Sequence, residues 1–155
     1  MPHKIDLVII DPQVDFCSPK GKLSVGGAED DINRLSAMVK RIGPKLNDIH
    51  ITLDSHHQIH IAHPIYWKNS AGKHPDPFTL ITAKDVESGK WTTTSPGLWK
   101  RSLSYVQSLE KNGRYVLCIW PPHCLIGTPG HNIQEPLLST LLAWESDNFA
   151  VVDKV

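Results

Sequence analysis

Cysteine is scarce in this chain, with three in 155 residues (Cys17, Cys118 and Cys124). So few, so scattered, exclude a disulfide framework and point to a reducing compartment, the cytoplasm. Net charge is lacking as well: 16 basic residues balance 16 acidic ones. That balance removes the electrostatic reason to expect a nucleic acid or a membrane surface as partner. No run of about 18 apolar residues occurs, so no membrane span is expected. The start, MPHKIDLVIIDP, enters a strand-like run without a small-residue cleavage site, which argues against a signal peptide. Internal repeats and low-complexity tracts are missing too.

What remains is ordinary globular material, 40% hydrophobic, of a length that suits one domain with its own core. KIDLVIID (4–11) is an almost continuous aliphatic run closed by Pro12, and predicts a strand buried on both faces. EDDINRLSAMVKRI (29–42) places Ile32, Leu35, Met38, Val39 and Ile42 at helical spacing, with acids first and bases last. DIHITLD (48–54) predicts a second strand and RYVLCIW (114–120) a third. GLWKRSLSYVQSLEK (97–111) and IQEPLLSTLLAWE (133–145) predict helices, the latter with Pro136 in its first turn. NFAVVDKV (148–155) begins a fourth strand. Between Ser55 and about Pro96 lies a stretch rich in His, Pro, Gly, Lys and Thr with little periodicity. A loop of that length inside a compact domain is usually functional or disordered.

Strands alternating with helices argue for an α/β domain with a mainly parallel sheet and flanking helices. Ligands of such sheets bind beyond the carboxyl ends of the strands, and Asp11, Asp54, His123 and Lys154 fall at or just past predicted strand ends. The last strand arrives without the crossover and helix that would follow it. The expectation is therefore either a small sheet or the N-terminal part of a longer chain. In the second case exposed edge and apolar surface would favour self-association.

Three groups carry candidate chemistry. Asp54 and His56 stand two apart, so an extended backbone turns both side chains the same way. A carboxylate oxygen and a neutral imidazole are half of a Zn²⁺ or Fe²⁺ site. His123, in the stiff WPPHCLIGTPG turn (120–130), is the best third ligand. The competing reading has exposed, idle histidines and an Asp that caps a turn. Asp11 is either a turn cap or a general base tuned by burial and a nearby cation, for which Lys154 is available. Phe16 and Trp67 are either core residues or an aromatic wall for a flat ligand. Cys124 beside His123 is a poor nucleophile candidate, since adjacent side chains seldom meet, and Cys17 and Cys118 read as packing residues.

VIIDPQVDF (8–16) followed by Gly21 and Leu23, TLDSHHQIHIAH (52–63), WPPHCLIGTPG and the terminal VVDK occur in an order that resembles the nicotinamidase/pyrazinamidase branch of the isochorismatase-like cysteine hydrolases. The resemblance implies a Rossmann-like three-layer fold and an Asp–Lys–Cys triad with Asp11 as its acid/base and Lys154 as its lysine. It implies a divalent metal, zinc or iron with manganese an option, on Asp54, His56 and His123, with His60 as an additional ligand. Phe16 would flank the substrate ring, with Trp67 a looser match. The substrate would be nicotinamide or a related small amide, hydrolysed through a thioester to the acid and ammonia. Residues 55–96 would form a lid. Two features depart from the pattern. None of the three cysteines sits in the family's nucleophile context, and Lys154 is followed by Val155 where glycine is usual. The alternatives are a non-catalytic metal- or ligand-binding relative and a hydrolase that uses metal-bound water.

Overall fold

The structure, a computed structural model, describes residues 4–148. In chain order its elements are β1 (Asp6–Ile10), α1 (Val14–Cys17), α2 (Ala28–Ile42), β2 (Asp48–Thr52), β3 (Trp67–Lys68), β4 (Leu80–Ile81), α3 (Ala83–Glu87), β5 (Thr92–Thr93), α4 (Trp99–Glu110), β6 (Leu117–Cys118) and α5 (Leu137–Asp147). They gather into two compact units, residues 4–55 with 123–148, and residues 56–122. Among the described residues no helix is long and apolar enough to cross a membrane.

The first unit holds the α/β arrangement that the alternating pattern predicts. β1 and β2 run parallel, Asp6 opposite Asp48 and Ile10 opposite Thr52. Ile9 faces a core of Cys17, Ile32, Val39, Leu137 and Leu141, the last four supplied by α2 and α5. The α2 pattern works as read: Glu29, Asp30 and Asp31 lie in the first turn and Lys40 and Arg41 in the last, each sign at the helix end whose dipole favours it. Where α2 meets α5, Ser36 and Thr140 are buried and share a hydroxyl–hydroxyl bond of 2.6 Å. Pro136 stands at the N-cap of α5, so residues 133–135 precede the helix.

One expectation is corrected here. β1 is buried on one face only, for Val8 and Ile10 are exposed while Ile9 is not. Successive strand residues point to opposite sides, and among the described residues β1 pairs with β2 alone. The predicted fourth strand and Lys154 lie outside the described residues.

The second unit is built from short pieces around its own core of Trp67, Ile81, Val86, Val106, Leu117 and Ile119. The stretch that reads as a featureless loop in the sequence therefore supplies half of a hydrophobic cluster. Its buried residues come from two-residue strands and a single-turn helix, too short to leave a period. RYVLCIW shrinks to β6, which pairs antiparallel with β4 rather than joining β1 and β2. β3 and β5 form a further antiparallel pair.

Candidate functional site

Asp11 follows β1 directly and adopts a left-handed backbone, φ 48°, a region that Asp enters more readily than most residues. The neighbouring strand holds it there. The Asp11 N–H donates to the Thr52 carbonyl and hydroxyl oxygens at 3.2 and 3.1 Å. In return the Thr52 hydroxyl donates to Asp11 Oδ1 at 2.6 Å. One carboxylate oxygen is thus fixed by β2.

Two residues on, the side chain of Gln13 is fully buried and serves as a clamp. Its Nε2 donates to the carbonyls of Asp54 (2.8 Å) and His131 (3.0 Å), and its Oε1 accepts the Asp54 N–H at 2.8 Å. The backbone of Asp54 is bonded on both sides by one amide. Asp15, only 6% exposed, does the equivalent for the proline-rich turn. Its carboxylate accepts the Cys124 N–H at 2.7 Å and the Lys22 N–H at 3.1 Å. A Cβ on Gly130 would overlap that carboxylate, and one on Gly21 would overlap the Asp15 carbonyl. Those two glycines are there to let chain approach chain.

The result is that His123, 5% exposed, faces Asp54 with Nε2 and Oδ2 3.2 Å apart. Phe16 lies edge-on to the His123 ring, centroids 5.5 Å apart. A hard oxygen donor and a borderline nitrogen donor converge here, a donor set that fits zinc or iron. His56 opens the second unit, where one of its ring nitrogens lies with one each from His60 and His63 within 4.8 Å of one another. Trp67, read as a wall for a flat ligand, is instead enclosed in the core of its unit, its indole N–H donating to the Ile61 carbonyl at 2.6 Å. Sequence reasoning assigned no role to Gln13 or Asp15. A lone Gln and a second Asp inside a hydrophobic motif were the available signal.

The cysteines are quiet. Cys124 is fully buried with φ 47°, and burial, then the negative charges of Asp54, Asp15 and Asp11, push its thiol up to about 12. Burial raises Cys17 as well, helped by Asp31, and raises Cys118. Because the thiolate is the reactive form, Cys124 of the folded chain is expected to resist iodoacetamide at pH 8 and to react fully once denatured. Peptide mass mapping of the two samples checks this, and equal labelling would refute the burial argument. The sign extends to stability. A thiol whose folded pKa exceeds its ordinary value stabilises the fold below pH 9, and that contribution is lost as pH rises towards 12.

No family model matches the chain. It is 25% identical over 148 residues to the nicotinamidase of Saccharomyces cerevisiae, an alignment covering 96% of this chain and 55% of the yeast protein. The solved structure of yeast nicotinamidase Pnc1p superposes with a TM-score of 0.56 at 22% identity, over 93% of this chain and 53% of that one. A nicotinamidase–pyrazinamidase of Acinetobacter baumanii gives 0.51 at 22% identity, over 87% and 46%. The fold is that of these proteins, and the chain is a relative of nicotinamidases that spans about half of their length.

Proposed function

We propose that this chain carries the acid/base and metal-binding part of a cytoplasmic amidohydrolase of nicotinamidase type, acting on nicotinamide or a similar small amide. The observation that carries the reading is the pairing of Asp54 with buried His123, 3.2 Å apart, each member held through its neighbouring backbone by a buried polar side chain, Gln13 or Asp15. Asp54, His56 and His123 would hold zinc, iron or manganese, with His60 an additional donor. When bound, the metal supplies a Lewis acid that orients the substrate.

In that reading the acid/base step falls to Asp11. Asp11, with Oδ1 tied to the Thr52 hydroxyl, keeps its other oxygen to take the proton of the attacking thiol. Sulfur then bonds to the amide carbonyl carbon, the C–N bond breaks, and the proton passes to the departing ammonia. Water cleaves the thioester to the carboxylic acid and restores the thiol. Phe16, half-buried against His123, flanks a flat ring, and Lys154 is proposed as the cation of the triad with Asp11. Cys17 and Cys124 are buried, Cys118 is partly so, and burial pushes all three thiols up, which assigns the nucleophile to none of them. That observation favours, as the second reading, a metal- or ligand-binding relative without turnover.

The experiment is ammonia release from nicotinamide by the natural polypeptide, purified with its metal. Asp11→Asn is expected to lower kcat about 10²- to 10⁴-fold, the range for a lost acid/base, while metal content stays at the parent level. Metal binding with no turnover on any amide would leave the second reading standing. Turnover that survives thiol alkylation but dies with a chelator would replace the thiol by metal-bound water.

A further inference from the structure

The sheet stops short of Asp54. β2 ends at Thr52, and the chain leaves it through Leu53, Asp54 and Ser55. Gln13 holds the middle residue of the three. The outer two are held by a pair of side chains to which the amidohydrolase reading gives no role. The Ser55 hydroxyl lies 2.7 Å from Nε2 of His131 and donates to the Leu53 carbonyl at 3.1 Å. Both partners belong to the first unit.

One hydroxyl proton cannot serve both bonds. Given to Leu53, it leaves the Ser55 oxygen as an acceptor, so His131 Nε2 carries a proton and donates. The result is a relay from imidazole N–H to hydroxyl to carbonyl. It survives protonation of the ring, since Nε2 is a donor in both states. It also removes Ser55 as a histidine-activated nucleophile, which would need Nε2 to accept. The backbone of His131 is a firm base for the relay. His131 closes a turn at Pro129–His131, its N–H donates to the Thr128 carbonyl at 3.1 Å, and its carbonyl accepts from Gln13 at 3.0 Å. Just downstream, the Asn132 carbonyl accepts the Val14 N–H at 2.9 Å and the Gln134 N–H donates to the Pro12 carbonyl at 2.8 Å. The turn is therefore tied to the segment that follows β1.

We infer that His131 is a positioning residue, whose ring acts through the Ser55 hydroxyl to fix residues 53–55 and with them the direction of the Asp54 carboxylate. Consecutive side chains of an extended chain point to opposite sides, so pinning Ser55 on one side sets how Asp54 leaves on the other. Gln13 fixes where the Asp54 backbone lies, and His131 fixes how it is turned. Ser55 is exposed and His131 half-buried, so the relay contributes less than the buried Gln13 clamp. The part Asp54 plays towards a metal rests on the amidohydrolase reading, whereas the relay stands on the hydrogen bonds alone.

The test uses the full chain, stripped by chelator and titrated with Co²⁺, with visible absorption reporting coordination. His131→Ala and Ser55→Ala are each expected to weaken binding about 10-fold, the lower end for loss of an outer partner. Because both changes cut one relay, the double variant should bind no more weakly than either single one. His131→Gln, whose side-chain amide offers an N–H donor at similar reach, should restore most of the loss. Additive losses, parent-level affinity in His131→Ala, or a His131→Gln variant as weak as His131→Ala would each overturn the inference. Should His131→Ala fail to fold, Ser55→Ala at its exposed position carries the comparison. Urea melts of the metal-free proteins give a second readout. The same cycle should show a coupling of about 2- to 10-fold in the unfolding equilibrium constant, the effect of one ordinary hydrogen bond. If the parent binds no Co²⁺, the metal reading of Asp54 fails and the urea cycle decides alone: coupling upholds the relay, and its absence overturns it.

Discussion

Gln13→Ala is expected to lower the free energy of unfolding by about 3–5 kcal/mol, a large share of what holds a domain this size together. The side chain is fully buried. Truncation strands the Asp54 N–H and the carbonyls of Asp54 and His131, all of which it now bonds. Each buried polar group left without a partner costs about 1–3 kcal/mol, and water entering the vacated space recovers part of it. Gln13→Glu separates hydrogen bonding from volume. It keeps the acceptor for the Asp54 N–H, but turns a carboxylate oxygen towards two carbonyls that need a donor. It should therefore also destabilise, although it leaves no void. Urea melts of the three proteins check this, and a loss below about 1 kcal/mol for Gln13→Ala would show that the clamp is dispensable. Metal affinity provides a second readout. If Asp54 is a ligand, loosening its support should cost about 10- to 100-fold in metal binding.

The second large effect is expected at Gly130. A methyl group there would overlap the Asp15 carboxylate, which is buried and holds the Cys124 and Lys22 N–H groups. The carboxylate must withdraw, leaving a charge poorly placed and an N–H unbonded, for about 2–4 kcal/mol. Gly127→Ala serves as the control. Gly127 has φ 81° and open space around its Cα, so alanine there meets only the left-handed penalty of about 1–2 kcal/mol. The mechanism is tested by a double-mutant cycle. In an Asp15→Ala background the Gly130→Ala cost should nearly vanish, a coupling of about 2 kcal/mol. An unchanged cost in that background would place the clash elsewhere.

These two positions also mark where the sequence is hard to read. β1, β2, α2, α4 and α5 were legible because each is long enough to carry a continuous or periodic apolar pattern. The one-sided burial of β1 was not, since an aliphatic run does not say which neighbours are present. Residues 55–96 hid a core because Trp67, Ile81 and Val86 arrive singly from short elements. At the site, Asp54 and His123 were readable from residue type and the stiffness of the proline turn. Gln13 and Asp15 were not, because both act on backbone groups of segments more than 40 and 100 residues away, and a bond to backbone leaves no matching side chain to notice. Trp67 failed for the opposite reason. An aromatic residue looks the same in a core as in a pocket, and here it is core.

The close seating of Asp15 also limits how this sequence can drift. One carboxylate ties down the loop at Lys22 and the turn at Cys124, and Gly130 is spaced to its size, while Gly21 leaves room for the Asp15 main chain. A longer acid at position 15 would collide with its surroundings, and a shorter residue would release both segments together. Single substitutions at positions 15, 21 and 130 should therefore be rare among descendants of this chain. Changes at 15 and 130 should appear jointly, a trace that a collection of homologous sequences would show as correlated change, whereas Gly21 faces main chain and should stay glycine whatever stands at 15.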